Sequence, residues 1–214
     1  MGRKTMKEED DDGVEEEGSM ETIKFRMVSK TLLLMKASDG VNPLNPLVKQ
    51  KSILTSKKPK QRSDVDIWEM YRLDFVLSLY HDEELGPYVP GVNIEAAGLQ
   101  SAKVEKLGTK WTAAVRVIED KLELEYEGPR DIDKLWEARE TFVDLRPGKL
   151  RGTSSIMICR PLFRKWSLGG TLLYDTGIID RVDVIRCLLR IGAIGICDYH
   201  KRYGKSDVTV QDGG

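Results

Sequence analysis

Histidine is nearly absent from this 214-residue chain: it holds only His81 and His200. With no Cys or carboxylate at a ligand spacing beside either, a zinc-type metal site is not expected. A Ser/His/Asp arrangement has too few histidines to draw on. No glycine loop followed by Lys-Ser or Lys-Thr is present to cradle a phosphate. The three cysteines, Cys159, Cys187 and Cys197, have no metal spacing and cannot all pair, so they are read as reduced thiols. No apolar run approaches the roughly 20 residues that span a bilayer. The first residues are charged rather than apolar, so no secretory leader is expected there and a cytoplasmic protein is. No cofactor, metal or membrane partner is anticipated.

What is there is a soluble-protein composition, 40% hydrophobic and 32% charged, with a net charge of −1. The balance is uneven. Residues 1–18 hold eight acids against three bases, which leaves 31 bases and 27 acids elsewhere, a surplus of four positive charges. An acidic run without aromatics reads as a disordered head over 1–19. A solubilising tail and a competitor for a basic groove are both open roles for it. Residues 20–212 read as one α+β domain with a mobile basic loop at 38–62.

Ile23, Phe25 and Met27 alternate with Lys24 and Arg26, the period of a half-buried strand. A helix is expected over about 63–80 with Ser63 as its N-cap, and a second, rich in small residues, over 92–104. Trp111, Ala113, Val115 and Val117 alternate as a strand, as do Leu122, Leu124 and Tyr126. Asp131 caps a short helix. Further strands are expected at Ile156–Ile158, at Trp166–Tyr174 and at Val208–Val210. The last helix starts after Asp180 and is stopped by Gly192 and Gly195. Strands and helices interleave without regular βαβ spacing, which favours a mainly antiparallel sheet.

The chemistry concentrates near the C-terminus. Tyr199, His200, Lys201, Arg202, Tyr203 and Lys205 surround Gly204. Aromatic faces stack bases and cations neutralise phosphates, so the mixture suits a single strand of nucleic acid. Arg160, Arg164, Lys165 and Trp166 repeat it, with Trp166 equally readable as core. Lys57, Lys58 and Lys60 offer a third basic segment, readable as a phosphate-contacting arm or as a solvated loop. His200 could act as general base in RNA cleavage, since its ordinary pKa lies near neutrality.

Several motifs carry a resemblance. Asn42-Pro-Leu-Asn-Pro, Tyr88-Val-Pro-Gly-Val-Asn, Leu124-Glu-Tyr-Glu-Gly-Pro-Arg, Cys159-Arg-Pro-Leu-Phe-Arg-Lys-Trp and Gly195-Ile-Cys-Asp-Tyr-His-Lys-Arg-Tyr-Gly-Lys occur in that order. In this the chain resembles a set of uncharacterised proteins of tailed phages and prophages. More distantly, an early strand running into an apolar stretch, a Pro-Gly turn opening a helix and a glycine loop after the last helix are similar to the RAMP superfamily. Those are the ferredoxin-like backbone subunits of CRISPR effectors. The second resemblance implies a βαββαβ core with inserted loops, and single-stranded nucleic acid bound along the sheet and its inserts.

The leading expectation is therefore a non-enzymatic nucleic-acid-binding protein of phage replication or recombination, favouring single strands over duplex. A virion structural or assembly protein that self-associates, and a metal-free ribonuclease using His200, are the alternatives.

Overall fold

The structure is a computed structural model, and it describes residues 19–149 and 155–212. The acidic head over 1–19 lies outside the described residues but for Ser19.

In chain order the elements are β1 (Met20–Ser29), β2 (Leu33–Leu34), α1 (Pro46–Ser56), α2 (Asp64–Ser78), β3 (His81–Asp82), β4 (Gly86–Pro90), α3 (Gly91–Val104) and α4 (Gly108–Ala114). They continue with β5 (Val115–Val117), β6 (Lys121–Glu123), α5 (Ile132–Glu137), α6 (Arg139–Phe142), β7 (Val143–Lys149), β8 (Ser155–Phe163), β9 (Ser167–Asp175), α7 (Arg181–Ile194) and β10 (Ser206–Asp212). The main sheet has the order β10-β1-β9-β5, antiparallel throughout. With α3 between β1 and β5, and α7 between β9 and β10, this is a ferredoxin-like βαββαβ core. Apart from α4, which lies between α3 and β5, the other described elements belong to two insertions, 30–90 and 118–166, including two small sheets in the orders β2-β8-β7 and β3-β4-β6.

The strand register shows why β1 alternates. Ile23, Phe25 and Met27 lie opposite Leu172, Gly170 and Leu168 and are buried beneath the helices. Burying such side chains stabilises the fold by roughly 1.5–3 kcal/mol each. α7 closes on this face at Gly192, where a Cβ would come within 2.3 Å of the Ser206 carbonyl oxygen. The other face carries Lys24, Arg26 and Val28 of β1, with Ser167, Gly169 and Thr171 of β9 opposite them. The two central strands therefore put no aromatic ring on the open face.

Several helix ends are set by side chains. Ser63 and Asp66 form a reciprocal capping box on α2, and Asp131 accepts from the Lys134 N–H to start α5. Residues 38–62, expected as a loop, instead contain α1 and two single 3-10 turns. Asn45 caps α1 by accepting from the Leu47 N–H, and Pro46 occupies its first turn, where the missing N–H costs nothing. The segment around Trp111, expected as a strand, is α4. Trp111 swings beneath α3, donates from Nε1 to the Glu95 carbonyl at 3.1 Å, and fills the space that Gly98 leaves open.

Candidate nucleic-acid interface

The segment after α7 is a pinned loop. Gly195 ends the helix at φ +89, and its N–H donates to the Ile191 carbonyl. A Cβ there would sit 2.4 Å from the Tyr203 carbonyl oxygen and 2.5 Å from that of His200. Gly204, at φ +67, would bring a Cβ within 2.2 Å of the Ile196 carbonyl oxygen. Between them Cys197 and Tyr199 also adopt left-handed backbone, at φ 62 and 52. Such strain persists only where surrounding bonds hold it, and they do. The N–H groups of Asp198 and Gly204 donate to the Leu34 and Leu32 carbonyls at 3.0 and 2.8 Å. The Lys205 N–H donates to the Thr31 hydroxyl at 2.9 Å, and the Lys205 carbonyl accepts from Lys30 and Thr31.

Beneath the loop lies an ionic cluster. Arg160 of β8 is 3% exposed, and its Nε stands 2.5 Å from Asp198 Oδ2. Its guanidinium also lies 4.7 Å from the Tyr199 ring centroid, and its Nη1 is 4.0 Å from Asp144. Arg146 of β7 pairs with Asp144 and donates to the Tyr203 hydroxyl at 3.0 Å. The hydrogen bonds that Arg146 donates to Asp144 and then to Tyr203 hold its pKa above the ordinary value. Two strands of an insertion thus fix the loop's conformation by charge pairing.

This places the residues singled out in the sequence. Tyr199 is 48% exposed on its outer side, and Lys201 and Arg202 are exposed beside it. His200, Tyr203 and Lys205 are half-buried. The Tyr203 ring is occupied by the Arg146 and Arg202 guanidinium groups, 5.4 and 5.5 Å from its centroid. Arg164 and Lys165 are exposed at the turn between β8 and β9. That turn reaches the loop through Ser29 to Thr31: the Trp166 N–H donates to the Ser29 hydroxyl, and Trp166 Nε1 to the Thr31 carbonyl at 2.9 Å. Two of the three segments therefore converge at the end of β1.

Two expected contact residues face inward instead. Arg160 is spent on Asp198 because β8 is covered by α2 and by the loop. Trp166 is 3% exposed and packs in the core, so its faces are not open to a base. The third segment lies elsewhere. Lys57 is paired with Asp66 at the N-terminal end of α2, and Lys58 and Lys60 are exposed beyond it. The opposite end of that helix, at Ser78, holds Ala37 through a backbone hydrogen bond. Fifteen residues at 1.5 Å rise separate the two ends by about 22 Å.

Sequence reasoning missed a cleft of about 300 Å³ on the other side of the loop. Asn93, Ala96, Ala97 and Gln100 form one stripe of α3 along it, at helical spacing. The backbone of 195–198, His200, Lys36 and Tyr80 complete the walls. Tyr80 donates to the Lys36 carbonyl at 3.3 Å, and the Asn93 amide lies 3.5 Å from Cys197 Sγ. Burial pushes the Cys197 thiol up to about 12, so it stands in the wall as a neutral group. Among the described residues no group of three His, Cys, Asp or Glu side chains is placed to hold a metal ion, and no helix is long and apolar enough to cross a membrane.

No protein-family model and no curated protein matches the chain. Among solved structures it is similar to a chain of a type III-B Cmr-beta complex bound to cognate target RNA. The identity is 11% over 90% of this chain and 61% of that one, with a TM-score of 0.49. It is also similar to Cas6 in a product complex, at 13% identity over 92% of this chain and 53% of that one, with a TM-score of 0.21. The chain thus spans about three fifths and about half the length of these proteins. The ferredoxin-like assignment rests on the sheet order and connectivity described above. The tailed-phage resemblance gains no support from these comparisons.

Proposed function

We propose that this chain binds single-stranded nucleic acid, without turnover, across the loop from Gly195 to Gly204 and the adjoining β8–β9 turn. The observation that carries the reading is a half-exposed ring, Tyr199, on a pinned loop among cations that hold no partner. Arg164, Lys165, Lys201 and Lys205 make no ion pair among the described residues, and Arg202 makes only its contact with the Tyr203 ring. Arg160 covers one side of Tyr199 and leaves the other to an unstacked base. A duplex keeps its bases stacked and offers this ring no partner, so single strands are preferred.

The test is fluorescence anisotropy of labelled single-stranded RNA, single-stranded DNA and duplex DNA against the full chain. Five phosphate contacts on a single strand give a salt slope of about −3.5, or roughly 100-fold weaker binding between 50 and 200 mM salt. RNA incubated with the chain in chelator comes back uncut. Absence of single-strand binding at low salt, or affinity indifferent to salt, overturns the reading. RNA cleavage lost in His200→Ala overturns the statement that there is no turnover.

A further inference from the structure

The cleft beside the loop does not enter the reading above, which uses only the loop's outer side. Its chemistry is specific. The floor is two alanines, Ala96 and Ala97, whose small side chains leave the space open. Of the polar groups on its walls, Lys36, Gln100 and His200 have no side-chain hydrogen bond or ion pair among the described residues. Lys36 and Gln100 are exposed, yet the backbone that carries each is tied down. Ala37, next to Lys36, donates its N–H to the Ser78 carbonyl at 2.9 Å, and Gln100 lies within α3. A volume of about 300 Å³ is at the lower bound for small-molecule sites, enough for one nucleotide and too little for two. The cleft and the Tyr199 platform share one short loop: Asp198 and His200 line the first, and Tyr199 between them forms the second. A strand lying over the loop would have one base at each.

We propose that the cleft is a base-selective subsite that receives one unstacked purine of the bound strand. This rests on the single-strand reading above and adds specificity to it. A side-chain amide pairs with the N6 and N7 positions of adenine, and an ammonium group with O6 and N7 of guanine. Gln100 and Lys36 supply one of each, and the edge common to both pairings is the purine N7 side. A pyrimidine has no N7, so neither of these two-point pairings forms with it.

The experiment measures anisotropy of 12-nucleotide single strands, all-adenine, alternating adenine–guanine, all-uracil and all-cytosine, with the wild-type chain, Lys36→Ala/Gln100→Ala and Tyr199→Ala. The wild type binds the two purine strands roughly tenfold tighter than the pyrimidine ones. The double variant loses that preference, while its melting temperature stays put because both side chains are exposed and unpaired. Tyr199→Ala binds every strand more weakly yet keeps the preference, which separates the cleft from stacking on the loop. Equal affinity for all four strands in the wild type, or a preference that the double variant retains, overturns the inference while the single-strand reading stands. Saturation-transfer NMR with adenosine monophosphate supplies the converse: a signal in the wild type that the double variant lacks supports the cleft even where no oligonucleotide binds. Absence of that signal together with absence of strand binding overturns both.

Discussion

Gly204→Ala tests whether the loop is held as tightly as its bonds indicate. The position has φ +67, and an L-residue forced into left-handed backbone costs about 1–2 kcal/mol. The added Cβ would stand 2.2 Å from the Ile196 carbonyl oxygen and 2.9 Å from the Ile196 nitrogen, both backbone atoms that cannot rotate aside. Relieving that overlap displaces two hydrogen bonds, from the Ile196 N–H to the Gly204 carbonyl and from the Gly204 N–H to the Leu32 carbonyl. Each contributes about 0.5–1.5 kcal/mol. The total is about 2–5 kcal/mol, which for a chain of this size lowers the melting temperature by about 4–20 °C. Gly169→Ala is the internal control. It lies on the open face of the sheet, where a Cβ meets nothing nearer than the Phe25 carbonyl oxygen at 3.4 Å. Thermal unfolding followed by circular dichroism reads both variants. A Gly204→Ala chain that melts within 2 °C of the wild type, or no lower than Gly169→Ala, refutes the account of a pinned loop.

Four further expectations follow from the same geometry. Tyr199→Ala weakens single-strand binding by about 1–3 kcal/mol with little change in melting temperature, and unchanged affinity in the anisotropy assay contradicts its role as a stacking face. Lys201→Ala and Lys205→Ala each reduce the salt slope by about 0.7, whereas Lys58→Ala/Lys60→Ala leaves it alone, because those lysines sit at the far end of α2. Arg160→Met leaves the part-buried Asp198 without its cation, while Asp144 keeps Arg146, and costs about 3 kcal/mol in urea unfolding; a variant as stable as the wild type shows the cluster does not hold the loop. Burial raises the Cys159 thiol from its ordinary 9.0 to about 12. The unfolded chain therefore gives up that proton first, and the stability it contributes is present below pH 9 and lost as pH rises from 9 toward 12. Urea midpoints measured at pH 8, 9 and 10 fall less steeply in Cys159→Ala than in the wild type, and equal slopes argue against the raised thiol.

Local patterns in the chain predicted local structure well. Alternation in Ile23, Phe25 and Met27 marks a strand because one face is buried and the other is not. Ser63 and Asp131 mark helix starts because their side chains have backbone N–H groups to satisfy. Failures occur where one pattern serves two periods. Trp111 and Val115 are two apart from Ala113 on either side, as in a strand, but also four apart from each other, as in a helix. The helix prevails over residues 108–114 because it lets Trp111 lie against Gly98 and places Ala113 outward. The lysine-rich stretch near 49–62 lacks apolar periodicity, yet Asn45 and Pro46 start a helix that runs to Ser56, tied to α2 by the pairing of Lys51 with Asp74 and of its C-cap Lys57 with Asp66.

The candidate site divides along the same line. Residues 195–205 are contiguous, so their composition was readable, as were the two glycines that shape them. Which side of a strand a basic residue faces depends on what covers that strand, and this is a property of elements more than 30 residues away. Arg160 and Trp166 look like their exposed neighbours Arg164 and Lys165 in sequence and differ from them only in packing. The cleft is less legible still, since its walls come from residues 36, 80, 93–100 and 195–200, brought together only by closure of the core.

The open face of the main sheet sharpens the argument for the loop. A four-stranded sheet that binds single strands on its face does so by stacking bases on rings of its central strands. Here the corresponding positions on β1 and β9 are Lys24, Arg26, Val28, Ser167, Gly169 and Thr171, and Arg26 is held by Glu125 and Ser167. Electrostatic contact with phosphates remains available there through Lys24, but no base can stack. A strand that crosses this molecule finds its rings off the sheet, at Tyr199, where β1 ends and the glycine loop folds back over it, or at Trp68 of α2, whose ring lies under the Arg139 guanidinium. Beside Tyr199 there are also cations without an ion pair, and Cys197 and Tyr199 itself adopt left-handed backbone. Aromatic exposure, unspent charge and left-handed backbone thus coincide in one short segment, although each is set by a different part of the chain.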